Sequence, residues 1–329
     1  MTIDDLRQMQ SLPLDMKIKL TKDRIREWVR AFGENGVYIS FSGGKDSTVL
    51  LHIVREDYPN IEAVFINTGL EYPEIQVFAQ SFDNVRTVYP EMQFSQVIRR
   101  YGYPVLTKQI SHSVNIARRY PNGKTAKNRF DPNGQGIYAM YKWKDLLETD
   151  FIISDKCCDV MKKKTAKAVD KKPFVATMTY ESKKREELWL ENGCNAFDLD
   201  DPKSAPMSFW IEQDVLEYIY TRKIPICKVY GDVIYGDRHG QLGFDGCSKM
   251  CTTGCQRTGC VYCLYGAHLE KGEGRLQRLK ETHRKQYDYC IGGGSYDDNG
   301  IWKPDKNGLG MGHVIDEMNR LYGKNFIRY

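Results

Sequence analysis

Between residues 37 and 54 the chain runs from a β-prone stretch, Val37-Tyr38-Ile39-Ser40-Phe41, through Ser42-Gly43-Gly44 into a buried helical stretch, Thr48 to Val54. A strand that stops at glycine and restarts as a helix directs several backbone N–H groups at one place, and the helix dipole adds positive potential there. Such a place binds phosphate. Gly43 and Gly44 let the backbone approach an anion closely, Lys45 adds a mobile charge, and Ser42, Ser47 and Thr48 add hydroxyl donors. The Walker loop has four residues between its glycines and a Ser or Thr directly after its lysine, whereas Asp46 follows Lys45 here.

Around this feature strand-like and helix-like runs alternate. Apolar residues at helical spacing over 13–33 (Leu14, Ile18, Ile25, Trp28, Val29, Phe32) predict an entry helix stopped by Gly33. Ile61 to Asn67 predicts a second strand closed by Thr68-Gly69, and Glu74 to Phe82 a further helix. Gln93–Ile98, Phe151–Ser154 and Phe174–Thr179 are further strand candidates, and Phe209–Tyr220 an amphipathic helix. The alternation predicts an α/β fold, a doubly wound and mostly parallel sheet whose ligand lies beyond the carboxyl ends of its strands. We expect three segments: an N-terminal helical segment at 1–33, a nucleotide-binding domain at 34–230 and a cysteine-rich, metal-binding region at 231–329.

The absence of a long apolar run and of a signal-like start predicts a cytoplasmic protein with no membrane partner. A formal charge of +5 permits a polyanionic partner without arguing for one. Arg99-Arg100, Arg118-Arg119 and the lysines from Lys156 to Lys172 form either a basic face for nucleotide or nucleic acid or solvated helix surfaces. Ten cysteines in a reducing compartment point to metal or redox chemistry rather than disulfides. Cys157 and Cys158 are adjacent, and Cys247, Cys251, Cys255, Cys260 and Cys263 crowd one stretch. Cys194, Cys227 and Cys290 read as core residues, and His268, His283 and His313 receive no role.

The string Ser42-Gly43-Gly44-Lys45-Asp46-Ser47 between a strand and a helix resembles the PP-loop of the N-type ATP pyrophosphatases. Asn67-Thr68-Gly69-Leu70-Glu71-Tyr72-Pro73-Glu74 resembles the D-T-G-x-x-F/Y-P-E segment of the phosphoadenylyl sulfate (PAPS) reductase superfamily, with Asn67 in place of the usual aspartate. Thr179 to Arg185 is similar to that superfamily's G-x-R-x-x-E-S-x-x-R segment, and Pro206 to Ile219 to its next helix. Together these span roughly residues 35 to 230. The resemblance implies an adenine nucleotide α-hydrolase-like fold in which residues 42–48 with Asn67, Thr68 and Gly69 hold ATP. It implies that Lys45, Asp46 and Arg185 act on the phosphates, with Asp46 positioning Mg2+. Lys108 stands where relatives often carry a phosphate-binding residue; a solvated lysine is the competing reading.

Assimilatory adenylyl sulfate reductases of this superfamily hold a 4Fe-4S cluster on a Cys-Cys pair and a distant Cys-x-x-Cys. The resemblance thus implies Cys157, Cys158, Cys260 and Cys263 as ligands, and thiolate suits iron–sulfur clusters. A local set of Cys251, Cys255, Cys260 and Cys263 around zinc or a cluster of its own stays open.

Sulfonucleotide reductases carry a nucleophilic cysteine in a C-terminal Glu-Cys-Gly-Leu/Ile-His tail, and the last residues here contain no cysteine. The complete loop points instead to ATP and adenylation. The pattern is similar to thiolation enzymes of the superfamily, including tRNA 2-thiolases and the ATP pyrophosphatase of DNA phosphorothioation systems. The expected function is therefore an ATP-dependent adenylating sulfurtransferase acting on a nucleic acid or nucleotide, fed by a sulfur donor such as a cysteine desulfurase. A reductase with a displaced nucleophile, for which Cys290 is the candidate, and a non-catalytic nucleotide-binding subunit are the alternatives. Nothing in the sequence fixes an oligomeric state.

Overall fold

A computed structural model of the chain describes residues 1–133, 139–236 and 249–329; Cys247 lies outside them. The chain forms two compact units that interleave along the sequence. The first comprises residues 1–67, 71–89 and 168–258, the second residues 68–70, 90–167 and 259–329.

The first unit is built on a six-stranded sheet in the order Val85–Val88, Ala63–Ile66, Val37–Phe41, Lys172–Phe174, Lys203–Ser204 and Asn195–Ala196. All neighbours are parallel except the last pair, in which Asn195–Ala196 runs antiparallel at the edge. The central strand is Val37–Phe41, and Val37, Ile39 and Phe41 are buried because a parallel sheet is covered on both faces. The loop helix, Lys45–Asp57, buries Val49, Leu50, Ile53 and Val54. The entry helix forms as Leu14–Phe32, and Gly33 ends it with a φ of 74° that its sequence position predicted.

A buried ion pair ties that helix to the helix Glu212–Arg222. Lys17 Nζ donates to both oxygens of Asp214 at 2.8 and 2.7 Å, while Asp214 also accepts the Ile211 N–H at the helix start. Trp210 Nε1 donates to Thr21 Oγ1 at 2.9 Å beside it. Together these bonds fix the helix that carries Glu212.

The second unit is mainly helical: Phe94–Tyr101, Lys108–Arg119, Arg275–Thr282, Arg284–Ile291 and Met311–Tyr322 are its longer helices. Val105–Leu106 pairs in parallel with Leu264–Tyr265. Gln93–Ile98 is no strand, contrary to expectation. Phe94, Val97, Ile98 and Tyr101 recur at helical spacing, and the first three are buried on one face of Phe94–Tyr101. Phe151–Ser154 makes only isolated bridges, Ile153 with Tyr103 and Phe151 with Trp302. In the first unit, the third candidate is misplaced: the strand is Lys172–Phe174, which shares only Phe174 with it, and Thr179–Glu181 is a helical turn.

One arginine of each pair in the second unit serves backbone carbonyls, while Arg99, Arg100 and Arg119 remain exposed. Arg118 donates to the carbonyls of Phe151, Leu146 and Thr149, and burial lowers its guanidinium to about 10. Arg99 donates to the carbonyl of Pro304. No helix among the described residues is long and apolar enough to cross a membrane.

Candidate functional site

In the first unit the strand Val37–Phe41 ends at Ser42, and the loop helix starts at Lys45. Gly43 makes the turn with φ of 69°, and a Cβ there would sit 3.0 Å from Ile75 Cγ2 and 3.1 Å from the Ile75 carbonyl. Conformation and space both demand glycine. The hydroxyls of the loop brace its turn. Ser42 N–H donates to Ser47 Oγ at 3.2 Å, and Ser47 Oγ and Thr48 Oγ1 donate to the Gly44 carbonyl at 3.0 and 2.9 Å.

Lys45 is buried, and its ammonium lies 3.2 Å from Glu212 Oε1 and 3.7 Å from Asp46 Oδ1. It also donates to the Gln256 carbonyl at 3.0 Å. The Lys45 N–H, at the helix start, donates to Tyr230 Oη at 3.3 Å, and Tyr230 Oη shares a 2.6 Å hydrogen bond with Thr258 Oγ1. Burial raises the Tyr230 phenol far above its ordinary range, so it stays protonated.

Asp46 Oδ1 is shut off from solvent with no hydrogen-bond partner. Burial raises the Asp46 carboxyl above the usual carboxylate range, against the pull of Lys45 and Arg257. A carboxylate oxygen that makes no hydrogen bond, with only the Lys45 ammonium 3.7 Å away, keeps lone pairs that a hard cation such as Mg2+ takes, so Asp46 fits the metal expected of it. Arg185 pairs with Glu181, and its charge and that of Arg257 are both felt at Asp46. Asn67 extends the sheet by donating its N–H to Val88, and its side chain donates to Gln76.

Thr68 and Gly69 belong to the second unit, where Thr68 Oγ1 accepts the Leu70 N–H. The Leu70 carbonyl accepts the Val261 N–H at 2.7 Å, between Cys260 and Cys263. The same unit brings Cys157 and Cys158 near that segment: Cys260 and Cys263 both act electrostatically on Cys157. Cys157 and Cys158 share a hydrogen bond that raises Cys157 and lowers Cys158 to about 6, with Lys108 and Lys162 assisting the thiolate. Burial raises Cys263 to about 11. Lys108 is paired with Asp159 at 3.0 Å.

Among the described residues no three His, Cys, Asp or Glu side chains converge closely enough to chelate one ion. A cubane cluster sets a different requirement, one thiolate at each of four separate irons. Cys157, Cys158, Cys260 and Cys263 lie in one unit, Cys260 and Cys263 act electrostatically on Cys157, and thiolate is the donor type such a cluster takes. Cys251 and Cys255 lie in the first unit.

Sequence reasoning missed Tyr230, Glu212 as a partner of Lys45, and the run Gln256-Arg257-Thr258. These residues reach the loop only through tertiary structure, and the crowd of cysteines around residue 256 drew the reading to metal binding.

The phosphoadenosine phosphosulfate reductase domain matches residues 36–105 and 105–265. The chain belongs to that family. It is 21% identical over 246 residues to the adenosine 5'-phosphosulfate reductase of Geobacillus kaustophilus, covering 74% of this chain and 85% of that protein. It is 33% identical over 89 residues to the tRNA(Ile)-lysidine synthase of Pseudomonas syringae pv. tomato, 22% of this chain and 20% of that one. An uncharacterized protein of Methanocaldococcus jannaschii is 32% identical over 79 residues, 23% of this chain. The chain thus spans about a fifth of the length of these last two relatives. A PAPS reductase structure from Candida auris, solved as a phosphate complex, aligns with a TM-score of 0.38 and 11% identity over 69% of this chain and 90% of that one. Membership in the PAPS reductase family, a family of enzymes, supports a sulfur-related nucleotide-processing function.

Proposed function

We propose that the chain is an ATP-dependent adenylating sulfurtransferase acting on a nucleic acid or nucleotide. The observation that carries this reading is the phosphate cradle, in which Gly43 turns the loop, Lys45 stands at the helix start and Asp46 keeps a buried oxygen that makes no hydrogen bond. A cradle of this kind suits the β,γ-pyrophosphate of ATP.

An oxygen of the acceptor attacks the α-phosphorus, the bond to the β-phosphate breaks, and pyrophosphate leaves with its electron pair. Lys45 and the loop N–H groups stabilise the charge that develops on the leaving group, and Arg185 serves the same phosphates. A thiol reductant supplies two electrons to free hydrosulfide from the persulfide of a donor such as a cysteine desulfurase; the hydrosulfide then attacks the adenylated acceptor, the acceptor–oxygen bond breaks, and AMP leaves with the electron pair, a displacement that is itself redox-neutral. Mg2+ held by Asp46 would neutralise phosphate charge. A 4Fe-4S cluster on Cys157, Cys158, Cys260 and Cys263 would supply sulfur-ligating, redox-active iron.

Purified anaerobically, the protein is expected to release pyrophosphate from ATP when its acceptor is present and to carry about four irons per chain. Iron without pyrophosphate release, together with sulfite release from adenosine 5'-phosphosulfate, would replace this reading with the reductase. The likeness to a protein named adenosine 5'-phosphosulfate reductase favours that second reading. Against Cys290 as its nucleophile speaks the burial of the thiol against Met311, which raises its pKa.

A further inference from the structure

Three consecutive residues after Cys255 reach the glycine loop of the first unit. Gln256 gives its carbonyl to Lys45 Nζ, Thr258 shares a hydrogen bond with Tyr230, whose hydroxyl receives the Lys45 N–H, and Arg257 lies beside Glu181. The run is anchored from behind. Gly254 N–H donates to the Tyr230 carbonyl and Cys255 N–H to the Val229 carbonyl, both at 2.8 Å. A Cβ on Gly254 would lie 2.4 Å from the Val229 carbonyl, so only glycine allows this approach.

Among the described residues, the charges paired around the loop are evenly matched. Lys45, Arg185 and Arg257 face Asp46, Glu181 and Glu212. A polyanionic ligand therefore has to draw a cation away from its carboxylate. Lys45 is buried and held by Glu212, Asp46 and a carbonyl, and Arg185 is paired closely with Glu181. Arg257 is the loosely held member: its guanidinium stands 3.6 Å from Glu181, and its side chain is 56% exposed.

We propose that Arg257 is a phosphate-engaging residue of this site, swinging from Glu181 onto the β,γ-phosphates of a nucleoside triphosphate. The assignment rests on the reading that the loop takes a nucleotide polyphosphate. Guanidinium suits the task because its planar fork binds two phosphate oxygens at once, which an ammonium does not. Tyr180, whose side chain is hydrogen-bonded to Arg257, helps aim it.

The test is calorimetric titration of the full, metal-replete chain with inorganic pyrophosphate, ATP and AMP. Arg257→Ala is expected to weaken pyrophosphate and ATP by about 10- to 100-fold, the loss of one charge-assisted contact, and to leave AMP unchanged. Arg257→Lys, which keeps the charge and loses the fork, should recover only part of that affinity. Unchanged pyrophosphate binding in Arg257→Ala overturns the assignment alone, as does an equal loss for all three ligands. A wild-type protein that binds AMP but neither pyrophosphate nor ATP overturns the polyphosphate reading and this assignment with it.

Discussion

The glycine loop and the gathered cysteines solve the problem of holding a ligand in different ways. Residues 42–48 are consecutive, and their hydrogen bonds close on one another: Ser42 on Ser47, Ser47 and Thr48 on the Gly44 carbonyl. The cradle is shaped by the backbone before any ligand arrives, so ligand binding need not bear the cost of ordering it. Cys157 and Cys158 stand far along the chain from Cys260 and Cys263, and they share a unit only because the second unit folds around them. Cys157 and Cys158 are neighbours in the chain and perturb each other in opposite directions, while Cys260 and Cys263 act on Cys157 through charge alone. A local site tolerates the loss of its ligand, whereas an assembled thiol site relies on its metal to hold the thiolates together.

That difference is broken most sharply at Cys260. Cys260→Ala is expected to abolish the iron absorbance and most of the bound iron while ATP affinity persists, read by iron analysis and nucleotide titration. Cys255→Ala, in the first unit, should keep its iron. Iron retained in the first variant and lost in the second would move the ligands to the run around Cys251 and Cys255.

The reciprocal change is Lys45→Ala. Removing a positioned cation from a developing negative charge costs about 100- to 1,000-fold in rate. Pyrophosphate release should fall by that much with iron content unchanged. Loss of iron as well would mean that the two sites are not independent and that Lys45 supports the fold.

What was legible in the sequence follows the same division. The loop was readable because its meaning is local: Ser42-Gly43-Gly44 interrupts the strand, and the apolar run Thr48 to Val54 continues as a helix, which the structure starts earlier, at Lys45. Gly33 ended the entry helix for the same reason. Gln93–Ile98 was misread because Val97 and Ile98 are β-branched, and the helical spacing becomes plain only when Tyr101 joins Phe94, Val97 and Ile98. Arg118 looked like surface charge because the carbonyls it serves, at Leu146, Thr149 and Phe151, lie well along the chain. Tyr230 and Arg257 carry no local signal at all. Their place at the loop depends on backbone bonds between Val229–Tyr230 and Gly254–Cys255, which no spacing rule announces.

The smallest expected effect sharpens the comparison from inside the loop. Asp46 is more costly to ionise in the folded chain than in the unfolded one, chiefly because it is buried. The native state therefore binds the proton more tightly, and stability falls as pH rises from the ordinary carboxylate range through the raised folded value. Asp46→Asn carries no charge to bury, so the variant should be the more stable protein at neutral pH, with the gap closing in acid. Denaturant unfolding of both proteins across that range measures it. Magnesium with ATP should reverse the order by stabilising the wild type through its carboxylate while leaving the variant little changed. If Asp46→Asn is instead less stable at neutral pH, the carboxylate is serving the fold as an anchored partner of Lys45. It would then no longer count as an oxygen kept for a cation, and the loop would depend on its charges as the cysteine site depends on its metal.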